Sequence, residues 1–544
     1  MGRASAHPFQ PVISDIKAYS SATRLVDLAS LLVAALIGVL IYSSLSRFGI
    51  GVSTDAVNYL FTAFNLAAGR GWISYDTTPY TWWPPLYPAL LAGLHLLTGA
   101  ELVNIALWVN IATFIGMVIA TWQLARRLFT KNPVLVFWSV LLSAGAQMMV
   151  ASAQNAGSDY LAALLAVLAL LAAGSYIRKP GWAGWAWLFL TGMLSALQRY
   201  IGVTVIAVAG LVVLVYYRGT LQRRLAAAAA QGLALVPLAF WAWHNLLAGT
   251  GPFGPRIPAT NSVGTNFHIS FEVMLRWFFS GSTIENHPFR ARFILQVCLL
   301  AIGITFITGL VVTLARRARV FPQLAWPVIF YAVLFPLALV VNASLAWFKD
   351  ITDRFFVPAY IPILLTVFLA LDLFLRWLAG RIPGRLSTLV CTALAILVPL
   401  LVLWAGFAGS VNLVQASRSA GVLPDNLYHN PDWNSNPTVE AVRQLLADHP
   451  DAVLYSNQPP GFALFTWHTT YWSPLKHDAI FKDHRYPLGD FAAAFAHCSA
   501  HCYLVWKLPN PYDHLYLPDE LSRIARMDVI FQSSGGIIYQ ISPP

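Results

Sequence analysis

Four charged side chains in an otherwise apolar chain have the types and spacing to do chemistry. Asp55, in "GVSTDAVNYL", follows the first long apolar run, and Asp159, in "NAGSDYLAALL", opens a later one. Arg199, in "SALQRYIG", interrupts an otherwise continuous apolar hairpin at its turn. Arg354, in "KDITDRFFVPAYIP", begins another apolar run with Lys349 close by. A carboxylate can take a proton from an acceptor hydroxyl or amine. An arginine presents a planar fork of donors that suits a phosphate and stabilises it as it leaves. Together they suit transfer from a polyprenyl-phosphate sugar, whose tail lies in lipid and whose phosphate lies at the interface. Each residue also has a plainer reading. Ser53 or Thr54, and Ser158, are candidate helix N-caps with an acid in the first turn, where the helix dipole favours it. Arg354 can pair locally with Asp350 or Asp353. Arg199 has no acid near it in sequence, so a distant carboxylate or an anionic ligand must meet it.

The elements that must position these residues are apolar helices. Of 544 residues, 58% are hydrophobic and 10% charged, where a soluble protein is about a quarter charged. Runs of about twenty apolar residues recur, the length that crosses a hydrocarbon core. The net charge of +11 does not call for nucleic acid. Its basic residues cluster beyond every second run, as in Arg126, Arg127 and Lys131, then Arg178 and Lys179, then Arg316, Arg317 and Arg319. That is the bias of cytoplasmic loops.

The chain therefore reads as a polytopic α-helical membrane protein with about eleven transmembrane helices. They are expected near 25–47, 102–125, 133–151, 159–177, 183–199, 200–217, 229–248, 291–315, 323–345, 355–378 and 386–409. "PPLYPALLAGLHLLTG" is expected to lie along the outer surface, because a crossing there would invert every later basic cluster. Residues 1–24 are then cytoplasmic, and 25–409 form the membrane module with long outer loops at 48–101 and 249–290. Residues 410–544 form a small extracytoplasmic α/β domain. The expected setting is multi-pass in a plasma (inner) membrane.

Within 410–544, "NPTVEAVRQLLADHP" reads as a helix with Asn436 as cap and Pro437 at its first position. "DAVLYSN" and "CYLVWKL" read as buried strands, "PDELSRIARMD" as a short helix, and "VIFQSSGGIIYQI" as a hairpin turning at Gly535 and Gly536. No Gly-rich phosphate loop is present. "AHCSAHCYLVW" admits a zinc site with His497 and His501, but a Cys498–Cys502 disulfide suits an oxidising compartment better. Tyr59, Trp82, Trp83, Tyr87 and His287 are candidates to line a substrate site, although Trp and Tyr also form ordinary interfacial belts.

At this point the chain resembles a family. "TDAVNYLFTAFNLAAGRGW" followed by "WPPLYPALLAGLHLLTG" looks like the opening of GT-C glycosyltransferases of the protein O-mannosyltransferase and aminoarabinose transferase type. "NAGSDYLAALLAVLAL" resembles their second acidic position. "LSALQRYIGVTVIAVAGLVVL" resembles the place where many carry a lysine, here Arg199, and "DRFFVPAYIPILL" resembles a signature with Arg354, Pro358 and Pro362. The resemblance implies a GT-C-like fold, a polyprenyl-phosphate-linked sugar donor and an inverting transfer to a glycan, lipid or protein. It implies Asp55 as general base, Asp159 supporting the acceptor or a divalent cation (Mg or Mn), and Arg199, Arg354 and Lys349 as binders of the donor phosphate. Asp55-Ala56 stands where the mannosyltransferases carry paired acids, and Trp83 where aminoarabinose transferases carry a phosphate-binding lysine. Two other classes remain: a flippase or transporter of lipid-linked sugar, and a non-catalytic scaffold subunit.

Overall fold

Apolar helices dominate the computed structural model, which is 69% helical over the residues it describes. It describes residues 21–277, 323–347, 351–382, 384–421, 426–477, 485–491, 495, 501–510 and 512–542. Among these, six helices are long and apolar enough to cross a membrane: Thr23–Ser44, Leu102–Leu128, Ser158–Arg178, Leu221–Leu247, Ala325–Leu345 and Asp353–Ala379. A seventh appears if the bent pair Pro133–Gly145 and Gln147–Ala153 counts as one span. The expected span at 291–315 lies outside the described residues.

In chain order the first helices are α1 (Ser21–Ser44), α2 (Thr54–Ala67), α3 (Leu86–Thr98), α4 (Leu102–Leu128), α5 (Pro133–Gly145), α6 (Gln147–Ala153) and α7 (Ser158–Arg178). There follow α8 (Trp182–Gln198), α9 (Val203–Tyr216), α10 (Leu221–Gln231), α11 (Val236–Leu247) and α12 (Val263–Arg276). Then come α13 (Ala325–Leu345), α14 (Asp353–Ala379) and α15 (Gly384–Ala420). α3 has 13 residues, about 20 Å at the helical rise, too short for a hydrocarbon core of about 30 Å. Leu96 and Leu97 on it are exposed.

α5 and α6 were expected as one span and instead meet at an angle of 47°. Ala146 adopts extended backbone between them, so the ladder of hydrogen bonds breaks without a proline. One buried cluster joins α1, α4, α5, α7, α13 and α14 through residues such as Phe114, Leu124, Val136, Tyr160, Phe335 and Phe368.

Beyond α15, α16 (Pro437–Asp448) is capped by Asn436, whose side chain accepts from the Thr438 amide at 2.9 Å. α17 spans Pro459–Thr466. A two-stranded ladder pairs β1 (Ile257–Pro258) with β2 (Ala346–Trp347). Strands β3 (Val453–Ser456), β4 (Thr470–Trp472), β5 (Cys502–Lys507), β6 (Arg526–Ser533) and β7 (Gly536–Ser542) form one sheet in the order β4-β3-β5-β7-β6. β3 lies parallel to both β4 and β5, and β7 is antiparallel to β5 and β6. Ser533 pairs with Gly536, so the turn is Ser534–Gly535, one residue earlier than the sequence suggested. The helix read from "PDELSRIARMD" is a single turn, Pro518–Leu521, because Arg526 onwards joins the sheet.

A second buried cluster is shared between the 48–101 stretch and this C-terminal segment: Tyr59, Tyr80, Tyr87, Trp433, Leu454 and Phe462 belong to it. Trp467 packs its ring on Phe64 at 5.2 Å and on Phe61 at 6.1 Å. Thr470 donates its amide to Tyr75 O at 3.1 Å, and Leu427 donates to Val52 O at 3.1 Å. The segment that carries Asp55 is thus held between membrane helices and the sheet.

Candidate functional site

Two helix starts are clamped side by side. Gly51 donates its amide to Gln154 O, and Ala156 donates to Gly51 O, both at 2.8 Å. This bridge places the first turn of α2 beside that of α7. Ser53 caps α2 by accepting from the Ala56 amide at 3.2 Å, so Asp55 does sit in a capped first turn. At α7 the cap position is Gly157 rather than Ser158. The Ser158 hydroxyl is used instead as a junction, 3.0 Å from Arg199 Nη1 and 3.2 Å from the Tyr59 hydroxyl.

The start of α14 completes the arrangement. Arg354 Nη2 pairs with Asp55 Oδ2, and its Nε lies 3.7 Å from Asp159 Oδ2. Arg199 Nη2 meets the other oxygen of Asp159 at 2.9 Å. Asp55, Arg354, Asp159 and Arg199 therefore form one alternating chain of charge drawn from four separate parts of the sequence. The local pairing considered for Arg354 is not used by Asp353, which accepts from the Trp277 indole at 2.8 Å. Arg199 is held because α8 ends at Gln198 and the backbone turns extended at Arg199 before α9. The return is so tight that a Cβ on Gly202 would stand 2.0 Å from Ser195 O. Three helix N-termini converge here, each the positive end of a macrodipole.

Two cavities meet at the Asp55–Arg354 pair. The first, about 640 Å³, is lined by Asp55, Tyr59, Asp159, Arg354, Gln147 and Phe407 among others. The second, about 520 Å³, is lined by Asp55, Arg199, Arg354, Trp82, Trp83 and Arg256 among others. Tyr87 lines neither: it is buried, with its ring 5.3 Å from Tyr59. Lys349, His287 and Cys498 lie outside the described residues. Cys502 is disulfide-bonded, to a partner outside the described residues.

Arg256 is the residue that sequence reasoning missed. Gly254, at φ +79°, passes so close to the first loop that a Cβ would lie 2.5 Å from Thr81 O. Arg256 then donates to Trp82 O at 3.2 Å and lies over the rings of Trp82 and Tyr200 at 5.8 and 5.7 Å. The β1–β2 ladder fixes this loop to the residues just before α14. An arginine after a glycine and a proline in a long loop carries no signal of its own.

A divalent cation does not fit this donor set. Asp55 and Asp159 are the carboxylates that would hold it, and both are engaged by guanidinium groups whose charge repels a metal ion. Among the described residues no group of three or more His, Cys, Asp or Glu is placed to bind one.

No family model matches this chain, and no curated protein matches its sequence. Solved structures do. ArnT from Cupriavidus metallidurans in the apo state is 16% identical, with a TM-score of 0.56 over 96% of this chain and 98% of that one. The same protein bound to undecaprenyl phosphate gives 0.56 at 16% identity, over 94% and 97%. The archaeal oligosaccharyltransferase AglB from Archaeoglobus fulgidus, in complex with an inhibitory peptide and a dolichol-phosphate, gives 0.50 at 14% identity, over 90% and 70%. These are membrane glycosyltransferases of the GT-C superfamily, and the fold of this chain is the GT-C fold.

Proposed function

We propose that this protein is an integral-membrane glycosyltransferase that moves a sugar from a polyprenyl-phosphate-linked donor to an outer-face acceptor, a glycan, lipid or protein. One observation carries the reading: a single carboxylate, Asp55, stands between two cavities with Arg199 and Arg354 within the same charge network. In the reaction Asp55 takes the proton of the acceptor hydroxyl or amine as that atom bonds to the anomeric carbon. The bond from that carbon to the phosphate oxygen breaks, and its electron pair stays on the phosphate. Arg199, Arg354 and Arg256 meet the charge that develops there. Asp159, the other carboxylate of the network, is paired with Arg199 and so is not free to act as a second nucleophile, which favours direct displacement and inversion.

The undecaprenyl phosphate bound to ArnT and the dolichol-phosphate bound to AglB support a lipid-phosphate donor. About eleven spans, an inner-face N-terminus and an outer-face C-terminal α/β domain go with this reading, from the charge bias of the loops. The test is to incubate purified protein with a panel of radiolabelled polyprenyl-phosphate sugars and extracted membrane acceptors, and to follow label leaving the lipid. Release by wild type that is lost in Arg199→Ala supports the reading and identifies the donor. Absence of release from every donor would sink it in favour of transport or scaffolding.

A further inference from the structure

The Asp55–Arg354 pair joins the base to the cation that should receive the leaving phosphate. This has a consequence for order. A carboxylate oxygen accepting from a guanidinium is not free to take a proton, and a guanidinium committed to a carboxylate is not free to grip phosphate. We propose that Arg354 is a donor-sensitive latch: in the empty site it holds Asp55, and a donor phosphate draws it away and so releases the base. The inference rests on the lipid-phosphate donor reading given above.

Three features support it. The network has a sheltered half and an open half. Arg199 and Asp159 side chains are 14% and 13% exposed, whereas those of Arg354 and Asp55 are 29% and 30% exposed. Arg354 lines both cavities, so its head can change partner without its helix moving. Its Nε lies 3.7 Å from Asp159 without a hydrogen bond, so that contact does little to hold the head where it is. Magnitudes favour the exchange. A partly exposed ion pair shifts an equilibrium by no more than about fivefold, whereas a phosphate offers forked, charge-assisted bonds beside Arg199 and Arg256. Asp55 would then act as a base only in the loaded enzyme, which restrains water from consuming the donor before it is seated.

The test measures binding of a polyprenyl phosphate without sugar to the purified full chain. A latch reduces the apparent affinity to the intrinsic value multiplied by the fraction of protein in which Arg354 is free. Asp55→Ala should therefore bind this lipid about three- to fivefold more tightly than wild type, with Asp55→Asn giving the same direction should the alanine variant not fold. The gain should vanish when Arg354→Gln is added, and Asp353→Asn, which removes a nearby charge not paired with Arg354, should bind like wild type. Equal or weaker binding by both Asp55 variants overturns the latch while leaving the donor reading intact. A gain that survives Arg354→Gln, or that Asp353→Asn reproduces, also overturns it, because that is general relief of repulsion. If wild type does not bind the lipid at all, the donor reading fails and the latch with it.

Discussion

Asp55 and Arg354 are 299 positions apart in sequence yet form one ion pair, and the chemistry depends on such meetings of distant residues. Asp55, Asp159 and Arg199 were visible in the sequence because each breaks an apolar context where a charge is costly. Arg354 was visible too, but which of the four pair was not, because pairing depends on how helix starts are clamped together. Arg256 shows the limit most clearly. It gains meaning only from Gly254, from the carbonyl of Trp82 and from two aromatic rings. Arg256→Ala should raise the donor KM by roughly tenfold with a smaller change in kcat, as expected for lost phosphate binding, measured in steady-state transfer assays. Transfer should also be unchanged by EDTA, because Asp159 stays paired with Arg199 and a released Asp55 alone is too small a donor set to hold a cation; a loss restored by Mg or Mn would contradict this.

At the scale of elements, the site is built from helix starts and one tight hairpin. Periodicity and apolar length located most helices to within a few residues, as at Leu102–Leu128 and Asp353–Ala379. They did not locate the break at Ala146, because "PVLVFWSVLLSAGAQMMVASA" is apolar throughout and contains no proline at the bend. The α8–α9 hairpin can be tested directly. A methyl at position 202 must displace the Ser195 carbonyl, so Gly202→Ala should cost on the order of 1–3 kcal/mol through overpacking. It should also shift Arg199. The expected result is a lower thermal midpoint together with weaker donor binding, read by thermal denaturation and by lipid binding on the same preparation.

Across the whole molecule, the C-terminal segment braces the loop that carries Asp55. Asn426 accepts from the Val52 amide at 3.0 Å, and His429 donates from Nδ1 to Ile50 O at 2.8 Å. Burial pulls the His429 imidazole below its ordinary 6.5, opposed by its bond to the Ile50 carbonyl. The unfolded chain therefore takes up a proton near pH 6.5 that the folded chain resists. The stability tied to neutral His429 is present above pH 6.5 and is lost as pH falls below it. The thermal midpoint of wild type should drop more between pH 7.5 and 5.5 than that of His429→Gln, and parallel pH curves would contradict the assignment. This brace was only partly legible. Asn436, Pro437 and the hairpin announce their elements, but nothing local in "LYHNPDW" reveals that it docks on residues 50–54.

The central claim is that Asp55 is the base of a sugar transfer from a lipid phosphate, and one comparison tests it most directly. Transfer of labelled sugar by wild type and by Asp55→Asn should be measured on preparations that both bind polyprenyl phosphate. The account predicts a loss of about 10²- to 10⁴-fold, the usual worth of a positioned general base, with lipid binding retained. Transfer within a few fold of wild type would contradict it and leave Asp55 as an acid that does no more than stabilise the start of α2.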